Sequence, residues 1–132
     1  LGRRLLMKVE ELMHTNSMIP IVRPETALRE TILEITEKRL GTALIVDNDN
    51  RLVGIFTDGD LRRLAEKDEQ FFKRQTGDVM IKNPKTIRPG AILDEALAMM
   101  EKYAIMVLPV VDKEKRPVGI IHLHDILKSK LV

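Results

Sequence analysis

Thr57-x-x-Asp60 is the pattern in this chain that could carry the most chemistry. It follows the apolar run Gly54-Ile55-Phe56 and precedes Leu61 and Leu64, so it reads as the point where a strand turns into a helix. A helix N-terminus offers free backbone N–H groups and favours negative charge. A threonine hydroxyl there can donate to a phosphate. A carboxylate three residues on can accept two hydrogen bonds from a ribose diol. Arg62 and Arg63 follow and add positive charge. The same residues also suit plain helix capping, and the pattern alone leaves both readings open. What favours a ligand is recurrence, because Asp125 stands in the same context beyond Gly119-Ile120-Ile121.

His122 replaces the threonine in that second copy, and the hydroxyl donor is lost. A neutral imidazole still donates one hydrogen bond, and a protonated one binds phosphate better. The two sites should therefore differ, and a phosphate met by cationic His122 would bind more weakly as pH rises through the histidine range. His122-x-His124, with Asp125 and His14, has the residue types of a metal cluster. At a helix start, however, positions two apart diverge, and the chain has no Cys. A polar junction is the simpler reading, and no metal is expected. Gly41 and Thr42 in the first copy, and Leu108 and Pro109 in the second, could line a cleft with small or apolar surface for a base ring. They equally suit ordinary edge strands, since a proline removes one ladder donor. No nucleophile stands with a plausible base, and no glycine-rich phosphate loop is present. The chain is expected to be non-catalytic.

The elements that must position these groups come twice. Gly54-Ile55-Phe56-Thr57-Asp58-Gly59-Asp60-Leu61 returns 65 residues later as Gly119-Ile120-Ile121-His122-Leu123-His124-Asp125-Ile126. The same shift pairs Arg23-Pro24 with Arg88-Pro89, Glu30 with Glu95, and Val46-Asp47 with Val111-Asp112. Two copies make a tandem pair rather than an array, and a cleft between copies is where a small ligand would bind. The expected fold is α/β (α+β), with each module strand-helix-strand-strand-helix and the two packed as a pseudo-two-fold pair. Expected boundaries are 1–8 for the end of a linker, 9–65 for the first module, 66–75 for a linker whose Phe71 and Phe72 pack on the body, and 76–132 for the second.

In the first copy, Leu1 to Met13 is helix-prone and Pro20 to Arg23 is a short strand. Thr26 caps a helix that runs to Gly41, with Ala27, Leu28, Ile32, Ile35 and Leu40 on its apolar face. Ala43 to Val46 and Arg51 to Phe56 form a hairpin around Asp47-Asn48-Asp49-Asn50. In the second, Thr86 to Arg88 is the strand and Ala91 to Tyr103 the helix, with Leu93, Leu97 and Met100 inward. Val107 to Val111 and Arg116 to Ile121 form the hairpin, and His122 to Lys130 the last helix. Most of the seven methionines suit core filling.

Composition bounds the function. The 132 residues are 44% hydrophobic and 32% charged, ordinary for a globular protein. With 22 basic against 20 acidic residues and 3% aromatics, neither a nucleic-acid footprint nor a stacking platform is expected. No apolar run reaches membrane-spanning length. The chain begins at Leu1, so it reads as an excised fragment, and a cytoplasmic location is expected.

With Gly54, Thr57 and Asp60 in place, and strand-helix-strand-strand-helix twice, the chain resembles a tandem pair of cystathionine-β-synthase (CBS) domains. Gly119 and Asp125 match that family's pattern too, while His122 departs from it. The resemblance implies a regulatory module that binds adenine nucleotides in the cleft between copies. Thr57 would face phosphate, and Asp60 and Asp125 would each face ribose hydroxyls. A closer likeness covers the whole chain. Gly2-Arg3-Arg4-Leu5-Leu6, Leu12-Met13-His14, Thr57-Asp58-Gly59-Asp60-Leu61-Arg62-Arg63 and His122-Leu123-His124-Asp125 look like the C-terminal half of the D-arabinose 5-phosphate isomerase family. In that family a sugar-isomerase domain precedes the CBS pair. It interconverts ribulose 5-phosphate and arabinose 5-phosphate for synthesis of Kdo, a sugar of lipopolysaccharide. This likeness implies no required cofactor, and a nucleotide ligand that is AMP, ATP or CMP-Kdo. It implies contact with the chain's own isomerase domain, a homodimer, with the helix faces of Leu28, Ile32, Leu97 and Met100 buried either within the pair or across that dimer, and no nucleic-acid or membrane partner. An assembly module with empty clefts and an adenine-nucleotide sensor of another enzyme remain the alternatives.

Overall fold

The structure is a computed structural model that describes residues 6–129. The chain forms two compact units, and they do not coincide with the two sequence copies. Residues 18–84 make one unit, continuous in sequence. Residues up to Ser17 together with those from Lys85 onward make the other, a split unit.

The continuous unit holds β1 (Ile21–Val22), α1 (Leu28–Lys38), β2 (Thr42–Val46), β3 (Leu52–Thr57), α2 (Asp58–Lys67), α3 (Thr76–Val79) and β4 (Ile81–Lys82). Its sheet runs β1-β2-β3-β4, with β1 parallel to β2 and the other pairs antiparallel. β2 is buried along its whole length, whereas β3 alternates between buried and half-buried residues. A β-branched, apolar run can fill a central strand covered on both faces, and β3 shows the period of two of a strand covered on one. Leu28, Ile35, Ala43, Ile45 and Phe56 form the core.

The split unit holds a 3-10 turn (Val9–Glu11), α4 (Leu93–Tyr103), β5 (Val107–Val111), β6 (Pro117–His122) and α5 (Leu123–Lys128). β5 and β6 form an antiparallel hairpin. Single bridges join His14 to Ile120 and Ile87 to Val110. Val9, Ile87, Leu93, Leu108, Ile121 and Ile126 are in its core.

Each unit takes its entering segment from the other sequence copy. Val9 N–H donates to Ala91 O at 2.8 Å, and Thr76 N–H to Thr26 O at 2.9 Å. A side chain at Gly119 would overlap the Met13 sulfur, and one at Gly54 the Met80 sulfur. Both glycines are therefore needed for close approach. The stretch 66–75, expected as a linker, ends α2 and continues inside the continuous unit, where Leu28 N–H donates to Arg74 O at 3.0 Å. Phe71 packs on the core, but Phe72 is 54% exposed.

Several expected element limits shift. Of the helix expected over Leu1 to Met13, Leu6 is helical, but the helix does not run on through Met7 to Met13. Lys8 bridges to Ile92 and Val9 is buried in a 3-10 turn instead; Leu1 to Leu5 lie outside the described residues, as does Lys130. Thr26 does not cap α1. Ala27 is the N-cap and is exposed, while the Thr26 hydroxyl accepts from Arg23 N–H at 3.0 Å. α1 stops before Gly41 because Arg39 already turns left-handed, at φ 62°. α4 starts at Leu93, with Ile92 as its N-cap, rather than at Ala91. Ile32 and Leu97 are half-buried rather than fully inward. α5 begins after His122, which caps it, and ends at Lys128.

The two cores also differ in chemistry at one matching place. Thr31 and Thr76, both fully buried, share a hydrogen bond in the continuous unit. The Thr76 hydroxyl spends its proton on Thr26 O at 2.8 Å, so Thr31 is the donor to Thr76. In the split unit the matching residues are Ala96 and Val9, both buried and both apolar.

Candidate functional site

The two strand-to-helix junctions are built alike. β3 ends at Thr57 and α2 begins at Asp58. Thr57 keeps an extended backbone, and its hydroxyl accepts from Asp60 N–H at 3.1 Å. Asp60 Oδ2 accepts from Thr57 N–H at 3.0 Å in return. This reciprocal cap satisfies two of the helix's free donors. It uses the threonine oxygen as an acceptor and leaves the hydroxyl proton able to donate. Asp60 Oδ1 is held by Arg63 Nη2 at 2.7 Å, one turn further along α2. The capping and ligand readings are thus compatible, because an ionised carboxylate has about four lone-pair sites.

Gly41 and Thr42 lie beside this junction. Thr42 pairs with Thr57 across β2 and β3, and Gly41 O accepts from Asp58 N–H at 3.0 Å. Thr42 is fully buried, and its hydroxyl donates to Phe56 O at 3.3 Å. Gly41 is left-handed at φ 71°, a conformation that favours glycine.

At the second junction His122 is the N-cap of α5. Its Nδ1 accepts from His124 N–H at 3.0 Å, and its own N–H donates to Asp125 Oδ2 at 2.8 Å. Burial pushes the His122 imidazole below its ordinary range, and the neighbouring His124 and His14 push the same way, while Asp125 opposes them. The ring is therefore neutral over most of the physiological range. Without a phosphate beside it, the ring offers a neutral Nε2–H donor rather than a cation. Leu108 and Pro109 are buried within β5, opposite Ile121 and Ile120. They lie one and two residues inward from Val107, which pairs with His122 at the strand end. Pro109 is not on a free edge, because its carbonyl accepts from Ile87 N–H at 3.0 Å.

The residue that spacing does not reveal is the partner of Asp125. His14 Nε2 lies 3.1 Å from both Asp125 oxygens, across 111 residues of sequence. No local pattern signals that contact. Among the described residues no group of His, Asp and Glu is arranged to hold a metal ion.

A cavity of about 480 Å³ opens elsewhere in the split unit, lined by Thr86, Ile87, Arg88, Pro89, Val111 and Lys113 among others. None of the candidate residues lines it. Arg88 grips both oxygens of Glu95, which lines the same cavity, at 3.0 and 3.1 Å. In the continuous unit the matching Arg23 instead donates to Asp47 O at 2.7 Å, over the matching strand end.

Comparison with known proteins gives a consistent picture. The CBS domain family matches residues 9–67 and 77–131. Arabinose 5-phosphate isomerase KdsD of Francisella tularensis is 46% identical over 131 residues, which cover 99% of this chain and 40% of that protein. KdsD of Yersinia pestis is 39% identical over 132 residues, again 40% of its length. The chain thus spans about 40% of the length of these curated relatives, and it matches their C-terminal part. Among solved structures, the CBS domain pair of MJ0100 in complex with 5-methylthioadenosine and S-adenosyl-L-methionine superposes with a TM-score of 0.84 at 24% identity, covering 93% of this chain and 94% of that one. At these identities the likeness shows the fold.

Proposed function

Because the chain belongs to the CBS domain family, we propose that it is the regulatory, nucleotide-binding module of an arabinose 5-phosphate isomerase. CBS pairs are in general regulatory ligand-binding modules. In this reading Asp60 takes the ribose diol, and the Thr57 hydroxyl donates to phosphate at the N-terminus of α2. Asp125 takes the diol of a second ligand. Gly41 supplies backbone near one base, and the buried Thr42, Leu108 and Pro109 back the strands on which the bases would rest. The ligand is an adenosine phosphate or CMP-Kdo, the activated end product of the pathway that the isomerase would feed. The module itself is non-catalytic, cytoplasmic and homodimeric, and it acts on its own sugar-isomerase domain.

The observation that carries this reading is the Thr57–Asp60 cap. It leaves a hydroxyl proton free and places a carboxylate beside an exposed guanidinium, at the positive end of a helix. Calorimetry with AMP, ATP, CMP and CMP-Kdo tests it. Asp60→Ala removes a charged acceptor worth roughly 1.5–3 kcal/mol, so affinity should fall about ten- to a hundredfold. Asp60→Asn keeps an oxygen for Thr57 N–H and should lose most of the same affinity with the cap retained. No heat with any ligand, or unchanged affinity in both variants, would put the assembly-module reading ahead.

A further inference from the structure

Asp125 already has an occupant. An imidazole nitrogen 3.1 Å from both carboxylate oxygens lies on the line along which the two hydroxyls of a vicinal diol would approach. His14 is held there by more than this contact. Its N–H donates to Ile120 O at 2.8 Å, and Ile120 N–H donates back to His14 O at 3.0 Å. Next to it, Met13 fills the space that a side chain at Gly119 would need. The other groups that face Asp125 are the His122 N–H and the His122 ring, with the His124 ring 4.7 Å beyond.

Asp60 is held differently. Arg63 belongs to the same helix as Asp60, touches Oδ1 and is 59% exposed. A guanidinium on a flexible stem can turn aside and then meet a phosphate. An imidazole on a short stem, its backbone tied into a strand bridge, can leave only by swinging about its own two side-chain torsions.

We propose that His14 is an internal lock on the second acceptor. A nucleotide engages Asp125 with its diol only by displacing the His14 ring, so the Asp60 junction fills first. This inference rests on the reading of Asp125 as a ligand acceptor.

Calorimetry of the whole chain with AMP in an Asp60→Ala background isolates the second junction. Displacing a hydrogen bond to a charged group gives an expected change of about tenfold. The double variant Asp60→Ala/His14→Ala should bind AMP that much more tightly than Asp60→Ala alone; equal affinity overturns the lock. His14→Ser serves the same purpose if the alanine variant loses its fold. A ligand-free arm separates the lock from the reading beneath it. In wild type, the Nε2-bound proton of His14 should be protected from solvent exchange in NMR spectra, and Asp125→Ala, which removes the acceptor altogether, should remove that protection. An unprotected proton overturns the lock even where AMP binds at Asp60. A protected proton with no heat from AMP, ATP, CMP or CMP-Kdo in any variant overturns the nucleotide reading, and the lock's role in binding with it.

Discussion

A ring nitrogen that accepts a hydrogen bond cannot at the same time carry the proton. His122 Nδ1 accepts from His124 N–H, so the neutral ring carries its proton on Nε2, and protonation would cost that bond. Burial adds to the cost, and the folded-state pKa falls below the ordinary 6.5. Between the folded and unfolded values the unfolded chain binds more protons. Stability therefore rises with pH through that window and is lost as pH falls from about 6.5 toward the folded value. The expected result is an NMR titration midpoint for the His122 ring below 6.5. His122→Asn can keep a capping oxygen, and it should flatten the fall in urea midpoint on acidification. A midpoint at or above 6.5 would contradict this account. The capping roles of Thr57, Asp60 and Asp125 were legible because they depend on three-residue spacing. The proton state of His122 was not, because it depends on which backbone N–H finds the ring.

At the scale of elements, one substitution explains why the split unit has no counterpart of β1. In the continuous unit β1 pairs with β2 at two residues, and Leu44 N–H donates to Pro20 O at 2.7 Å. The residue matching Leu44 is Pro109, which has no N–H to give to Lys85 O. The expected strand over Thr86 to Arg88 accordingly shrinks to a single bridge at Ile87. Pro109→Leu restores the donor. It should extend the parallel pairing toward Lys85, slow hydrogen exchange at Ile87, and add about 0.5–1.5 kcal/mol of stability by urea unfolding. Unchanged exchange at Ile87 would mean that something other than the missing donor limits the strand. The hairpins themselves were legible because their turns are locally determined. Asp47 Oδ1 accepts from the N–H groups of Asp49 and Arg51, and Asp112 Oδ1 does the same for Glu114 and Arg116. Helix starts were read less well for the opposite reason. Neither Ala27 nor Ile92 caps with a side chain. The first N–H groups of α1 and α4 donate instead to Arg74 O and Met7 O, at 3.0 and 2.9 Å. Those partners are distant in sequence.

At the scale of the whole chain, sequence copies and compact units are offset. The CBS family matches begin at residues 9 and 77, yet residues 9–14 complete the split unit and 76–82 the continuous one. The constant shift of 65 residues hides this arrangement. Met13 and Met80, and the left-handed Asn16 and Asn83, stand 67 apart instead. Few identities mark the entering segments, so the repeat is visible and its exchange is not. The physical consequence can be tested with two fragments of equal length, 9–75 and 18–84. Both contain β1 to β3, α1 and α2. Fragment 18–84 keeps Thr76 as the partner of buried Thr31, Met80 against Gly54, and β4 beside β3. Fragment 9–75 loses all three, and carries Val9, Met13 and His14 without the Ala91, Gly119 and Ile120 that they meet. Leaving the Thr31 hydroxyl without its partner costs about 1–3 kcal/mol alone, a large share of what a unit this small can hold. Fragment 18–84 should show a cooperative urea transition by circular dichroism, with 9–75 shifted to markedly lower urea or without a transition. Equal midpoints would show that the exchanged segments add nothing to either unit's stability, and would return the boundaries to those of the sequence repeat.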